Sequence, residues 1–304
     1  MKKLLILLMM MILLSGASFS AQKHKSKPIL QKKPIIILQQ KPETIAIHPA
    51  STGQWIFECD SGYEMIGYQE HFKNVNNSGL DIDSSSNPSN IILNGRLEYT
   101  FPQNYFLGIK TTLPISKIKA REKWWVVGNA PHQTNDLTYG LIMADFYGGY
   151  KFPNNIFTYG GLRIYKGDQF RNNFTTAEAL AGEATEIIQS FGVLFGIKGE
   201  NQFDLDSPSW IYGGEIEGFL SLSVNVNNKN TVDPNNPEIN ISSSSGYSLS
   251  SMVKVGYHIN KDWNIELQGR SALIHWNGGS SQQGTWPPND TQTLSILLAV
   301  KSYL

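Results

Sequence analysis

The chain has 304 residues, of which 40% are hydrophobic and only 16% charged. Its 25 basic residues balance 25 acidic ones, which leaves no electrostatic case for nucleic acid as a partner. A single cysteine, Cys59, excludes a fold stapled by internal disulfides.

Residues 1–21 have the order of a secretory signal peptide. Lys2 and Lys3 precede an eleven-residue apolar run, Leu4 to Leu14, and small residues follow at Ser15, Gly16, Ala17, Ser18, Ser20 and Ala21. That run is shorter than the ~20 residues a spanning helix needs, and no later stretch of 18 apolar residues recurs. Residues 22–52 are different again. Six lysines (Lys23, Lys25, Lys27, Lys32, Lys33, Lys41) stand against one acid, Glu43, among Pro28, Pro34, Pro42 and Pro49. Such a stretch buries too little apolar surface to offset its ordering entropy, so it reads as a basic tail. It is either a solvated linker or a contact for acidic cell-wall polymer or lipid head groups.

From residue 53 to residue 304 the chain alternates with period two, the pattern of strands with one apolar and one polar face. In 210–225 the even positions run Trp210, Tyr212, Gly214, Ile216, Gly218, Leu220, Leu222 and Val224, against Glu215, Glu217, Ser221, Ser223 and Asn225. In 91–101, Ile91, Leu93, Leu97, Tyr99 and Phe101 oppose Asn94, Arg96, Glu98 and Thr100. Ten segments behave this way: 53–70, 90–101, 105–118, 138–152, 156–166, 186–198, 209–225, 245–259, 263–276 and 291–304.

The connections sort into two kinds. Pro102-Gln103-Asn104, Pro153-Asn154-Asn155 and Asn260-Lys261-Asp262 are tight turns, with 199–208 a longer member of the same set. The alternate connections, 71–89, 119–137, 167–185, 226–244 and 277–290, are long and polar. Aromatic residues gather beside the tight turns, as in Phe101 with Tyr105 and Tyr257 with Trp263. A soluble β-sandwich would also alternate, but its strands are shorter, about five or six residues. The predicted fold is therefore all-β, a single transmembrane antiparallel up-and-down barrel of about ten strands.

With the signal peptide, the alternating strands and a strand at the C-terminus, the chain resembles bacterial outer-membrane β-barrel proteins over nearly its whole mature length. Members usually end in an aromatic residue; this chain departs with Tyr303-Leu304. The resemblance implies an address in the cell outer membrane, short turns and the basic tail in the periplasm, and long loops outside. It also implies contact with outer-membrane lipid, lipopolysaccharide and the barrel-assembly machinery. Size and strand count are similar to the omptin proteases and the ten-strand opacity-type adhesins. Omptin chemistry, as the family implies, uses an Asp-x-Asp pair and an Asp-x-His pair across the extracellular mouth. This chain carries Asp81-Ile82-Asp83 in the first long connection rather than the second, and Asp-x-His nowhere. The His-x-Ser pair of membrane-barrel lipases is missing at His258 and His275 too. No catalytic residue, metal site or cofactor is assigned, and the balance points away from an enzyme.

If the apolar faces meet lipid, the polar faces fill the lumen. The inward acids are then Glu58, Asp60, Glu64, Glu98, Asp145, Glu215, Glu217 and Glu266, and the inward bases Arg96, Lys110, Arg163, Lys198, Lys254, Arg270 and Lys301. Charges buried in a barrel this narrow have to pair, so a lumenal ion-pair network is expected. Cys59 falls on the lipid-facing register. In the loops, Trp124 and Trp125 are the candidate contacts for a surface ligand, because tryptophan is enriched at binding hot spots. The functional expectation is a non-enzymatic barrel for surface binding, adhesion or envelope integrity. A narrow porin-like channel for small solutes is the alternative, and an omptin-like hydrolase the least supported.

Overall fold

The computed structural model describes residues 53–73, 80–129, 132–153, 155–175, 182–201, 207–231, 238–281 and 284–304. The signal-peptide and basic-tail readings fall on residues 1–52, outside the described set. In chain order the strands are β1 (Gln54–Phe72), β2 (Ile82–Ser86), β3 (Ser89–Thr100), β4 (Tyr105–Ile118) and β5 (Ala120–Val126). They continue with β6 (Gln133–Lys151), β7 (Ile156–Thr175), β8 (Ala184–Glu200), β9 (Ser209–Asn230) and β10 (Glu238–Ser244). The last five are β11 (Gly246–Asn260), β12 (Trp263–Trp276), β13 (Gly279–Ser281), β14 (Gly284–Trp286) and β15 (Asn289–Tyr303).

Ten of these are staves, each antiparallel to the next, in the order β1, β3, β4, β6, β7, β8, β9, β11, β12, β15. The ring closes because β15 returns to β1, from Ile56 opposite Tyr303 to Glu70 opposite Asn289. Closure satisfies every strand edge, the condition a sheet must meet inside a bilayer. All ten sequence segments coincide with staves.

Which face meets lipid follows from burial. Phe57, Met65, Leu107, Phe146, Ile164, Phe195, Leu220, Val255, Leu267 and Leu298 are exposed on the outside, while Glu58, Asp60, Asp145, Arg163, Glu215 and Glu266 are buried on the inside. An apolar band of this extent is unlike the surface of a soluble monomer. On β1 the band runs from Trp55 to Met65. At ~3.3 Å per residue and a tilt of about 40°, it rises about 25 Å, the height of a lipid-facing belt. Aromatic rings meet along its short-turn border: Trp55 tilted against Tyr99 at 4.8 Å, Tyr105 edge-on to Tyr150 at 5.3 Å, and Trp210 edge-on to Tyr257 at 5.5 Å.

The short turns use asparagine for a conformation most side chains avoid. Asn104 has φ 65° and Asn155 φ 54°, and their amides donate to the carbonyls of Phe101 and Phe152. Between β6 and β7 the backbones also come very close. A Cβ on Gly161 would lie 2.1 Å from the Phe146 carbonyl oxygen and 2.7 Å from Tyr147 Cα. Gly161→Ala is therefore expected to cost about 1–3 kcal/mol, as overpacking does. Urea unfolding in lipid vesicles measures it, and an unchanged midpoint would contradict this close approach.

The long connections are shorter than the sequence implies. β7 runs on to Thr175, β8 starts at Ala184 and β9 reaches Asn230; β2, β5 and β10 extend the wall as hairpin arms. β2 bridges β1 and β5, and β5 bridges β2 and β6. Above the belt the outer face is wet, so the apolar half of the alternation that marks a strand disappears there. A second correction concerns β9. Phe191 pairs with Ser223 but Gly192 with Ser221, so Leu222 is an extra residue in a bulge. Past it the phase flips, and Val224 points inward and is buried rather than facing lipid, as is Val226, which lies in the strand and not in a connection.

Candidate functional site: a lumen filled in two layers

Toward the short turns the lumen holds interlocked charges. Arg163 forks onto Asp145, with Nε to Oδ1 at 2.7 Å and Nη2 to Oδ2 at 2.8 Å, and reaches Glu217 at 3.2 Å. Lys110 bonds Glu217 and lies 3.5 Å from Asp145. Arg96 pairs with Glu215 at 2.7 Å, and the Tyr159 hydroxyl lies 2.5 Å from Glu215 and 2.8 Å from Glu217. Lys198 pairs with Glu98 at 2.6 Å. Arg270 reaches Asp60 at 2.7 Å and Glu58 at 3.9 Å, and Gln268 donates to Glu58 at 3.0 Å. Lys254 bonds Glu200 and lies 3.1 Å from Glu266, while Lys301 reaches Glu200 at 3.3 Å. Glu64 meets no cation in this set; Asn90 donates to it at 3.3 Å and Ser295 at 3.5 Å.

All fifteen residues placed inward by alternation thus line the lumen, and fourteen of them share ion pairs. Glu200, at the end of β8 beyond the alternating segment 186–198, is the bridge between Lys254 and Lys301.

The half toward the long connections is filled differently. Ile66, Tyr68, Leu137, Tyr139, Tyr165, Ile188, Val224, Ile274, Trp276 and Trp286 form one buried cluster. The Tyr139 and Tyr165 hydroxyls bond at 2.9 Å, and the Tyr165 ring meets Trp276 edge-on at 5.0 Å. Beside it Arg171 pairs with Glu70 at 2.7 Å and Glu122 at 2.8 Å. Glu186, buried across the β7–β8 pair from Gln169, accepts from Asn228 at 3.1 Å. The sequence does not bring these residues together, because above the belt the outer face is polar and alternation no longer tells the two faces apart.

Trp124 and Trp125 sit in β5 rather than in a loop, and alternation sends them to opposite faces. Trp124 shares the inward register of Glu122. Its Nε1 donates to Asn135 at 2.9 Å, Phe72 stacks at 5.6 Å and Arg171 lies 5.7 Å from its ring. Trp125 shares the outward register of Arg121 and Lys123.

The Asp81-Ile82-Asp83 motif also ends elsewhere than across a mouth. Asp83 lies on the outer wall, 3.0 Å from His71 Nδ1. His71 Nε2 faces Asp290 at 3.7 Å, and Asp290 holds His275 Nδ1 at 2.7 Å. This row crosses four adjacent strands, β2, β1, β15 and β12, as a ladder of cross-strand pairs. Among the described residues, no group of three or more His, Cys, Asp or Glu is arranged to hold a metal ion.

A search of solved structures finds the outer-membrane protease OmpT from Escherichia coli, with a TM-score of 0.62, 10% identity, and coverage of 86% of this chain and 99% of that one. The fold is that of a bacterial outer-membrane β-barrel. The transport unit of the Escherichia coli autotransporter AIDA-I matches more loosely, with a TM-score of 0.39, 10% identity, and 88% and 93% coverage. OprG from Pseudomonas aeruginosa is similar in that respect, with 0.35, 8%, 83% and 96%. No protein-family model and no curated relative matches the chain. At 10% identity the likeness to a protease fixes architecture and carries none of its chemistry.

Proposed function

We propose that this chain is an outer-membrane barrel with a closed lumen, serving surface binding or envelope integrity rather than solute passage. The observation that carries this reading is the two-layer filling: an ion-pair lattice in one half and a buried aromatic plug in the other. A solute path would need a continuous gap through both. The long-connection end faces outside and the short-turn end the periplasm, as in other barrels of this type.

Lipid and lipopolysaccharide surround the belt, and the barrel-assembly machinery inserts the chain. Just above the apolar band, Lys117, Lys119, Arg121, Lys123 and Lys166 face outward on the β4–β7 flank. They suit the phosphates of outer-leaflet glycolipid. Within this flank Lys119, then Asn173 and Arg121, hold the Asp136 carboxyl below the usual carboxylate range. The test is planar-bilayer conductance of the refolded protein. A closed lumen gives no steady single-channel steps; regular steps from the wild-type chain would replace this reading with the narrow channel.

A further inference from the structure

At the short-turn end the lumen opens into a vestibule of about 310 Å³, bordered by the ends of the staves and by Asn155 of a turn. Five cations line it, Arg96, Lys151, Lys198, Lys254 and Lys301, against four carboxylates, Glu58, Glu98, Glu200 and Glu215. The pairing is uneven as well. Lys254 and Lys301 share Glu200, and Lys254 also reaches Glu266 at 3.1 Å. Lys198 is committed to Glu98 and Arg96 to Glu215.

Lys151 differs from the rest. Its ammonium sits 5.3 Å from the Phe157 ring centroid and, among the described residues, makes no ion pair with a carboxylate. A lysine held at a cavity wall with its ammonium over an aromatic ring and no carboxylate partner is ready to bind an anion as a point charge.

We propose that the vestibule is a binding site for a carboxylate of the cell-wall peptide, with Lys151 as its principal contact. The inference rests on the reading that this end faces the periplasm. It deepens the envelope-integrity role by naming what the barrel would hold there. A single negative group is what Lys151 leaves room for, since among the described residues it is the one vestibule cation without a carboxylate partner. The cell wall supplies such groups on short peptide stems, slim enough to enter a narrow mouth. The lattice above the vestibule would stop the ligand from passing further.

The test uses the refolded full mature chain in detergent micelles, titrated calorimetrically with a disaccharide-tetrapeptide muropeptide. Saturable binding is expected, weakened at least tenfold in Lys151→Gln and largely kept in Lys151→Arg. Heat-modifiable migration on gels checks that each variant is folded. If Lys151→Gln does not fold, the muropeptide with amidated carboxyls serves instead and should fail to bind the wild type. Three results would overturn the assignment: no saturable binding by the wild type, equal affinity in a folded Lys151→Gln, or inorganic phosphate binding as tightly as the muropeptide. Conductance steps from the same preparation would bear on the closed lumen alone, so the two readings fail separately.

Discussion

Arg163→Met is expected to cost the barrel about 3–5 kcal/mol, the usual penalty for removing one partner of a buried ion pair. Arg163 is buried on β7 and makes three charge-assisted bonds, two to Asp145 and one to Glu217. Without it those two carboxylates share only Lys110. Methionine fills the space but leaves one ammonium facing two buried anions. The sign follows from that arithmetic, because an unpaired charge in low dielectric costs far more than the pair contributes. Removing one anion along with the cation should recover most of the loss, because Lys110 then pairs with the remaining Glu217, so Arg163→Met with Asp145→Asn is the control. Urea titration in lipid vesicles, followed by tryptophan fluorescence, reads both. A loss below about 1 kcal/mol would mean that lumenal water screens the lattice as at a surface.

That lattice was largely legible in the sequence, for a definite reason. In the belt, lipid forces the outer face to be apolar, so every charge on a stave must point inward and alternation assigns it. The assignment of Glu58, Arg96, Asp145 and Lys301 needed nothing more. The upper half was illegible for the complementary reason. There the outer face is wet and the inner face apolar, so Leu137, Tyr139 and Tyr165 alternate with polar residues in the opposite phase. A sequence carries no marker of where the lipid stops. Bulges add to this, since one residue at Leu222 reverses the meaning of every position after it. The partners of Arg171 come from β1 and β5 and meet only once the ring has closed. Trp124 looked like a loop residue because its strand, β5, has charge on both faces, with Glu122 inward and Arg121 and Lys123 outward.

The aromatic plug carries the other large effect. Trp276 is fully buried on β12, edge-on to Tyr165, with its ring lying over Gly246, where a Cβ would meet it at 2.2 Å. Trp276→Ala removes one of the two tryptophans of this cluster, and the ring of staves cannot collapse into the space because hydrogen bonds fix its circumference. A cost of about 3–5 kcal/mol is expected, at the upper end for large-to-small changes. The same variant also separates stability from permeability. The plug and the lattice lie in series along one axis, so emptying the first leaves the second across the path. Trp276→Ala should unfold at lower urea yet remain silent in planar bilayers. Steady single-channel steps from it would show that water and ions already thread the lattice, and that the plug alone keeps the lumen closed.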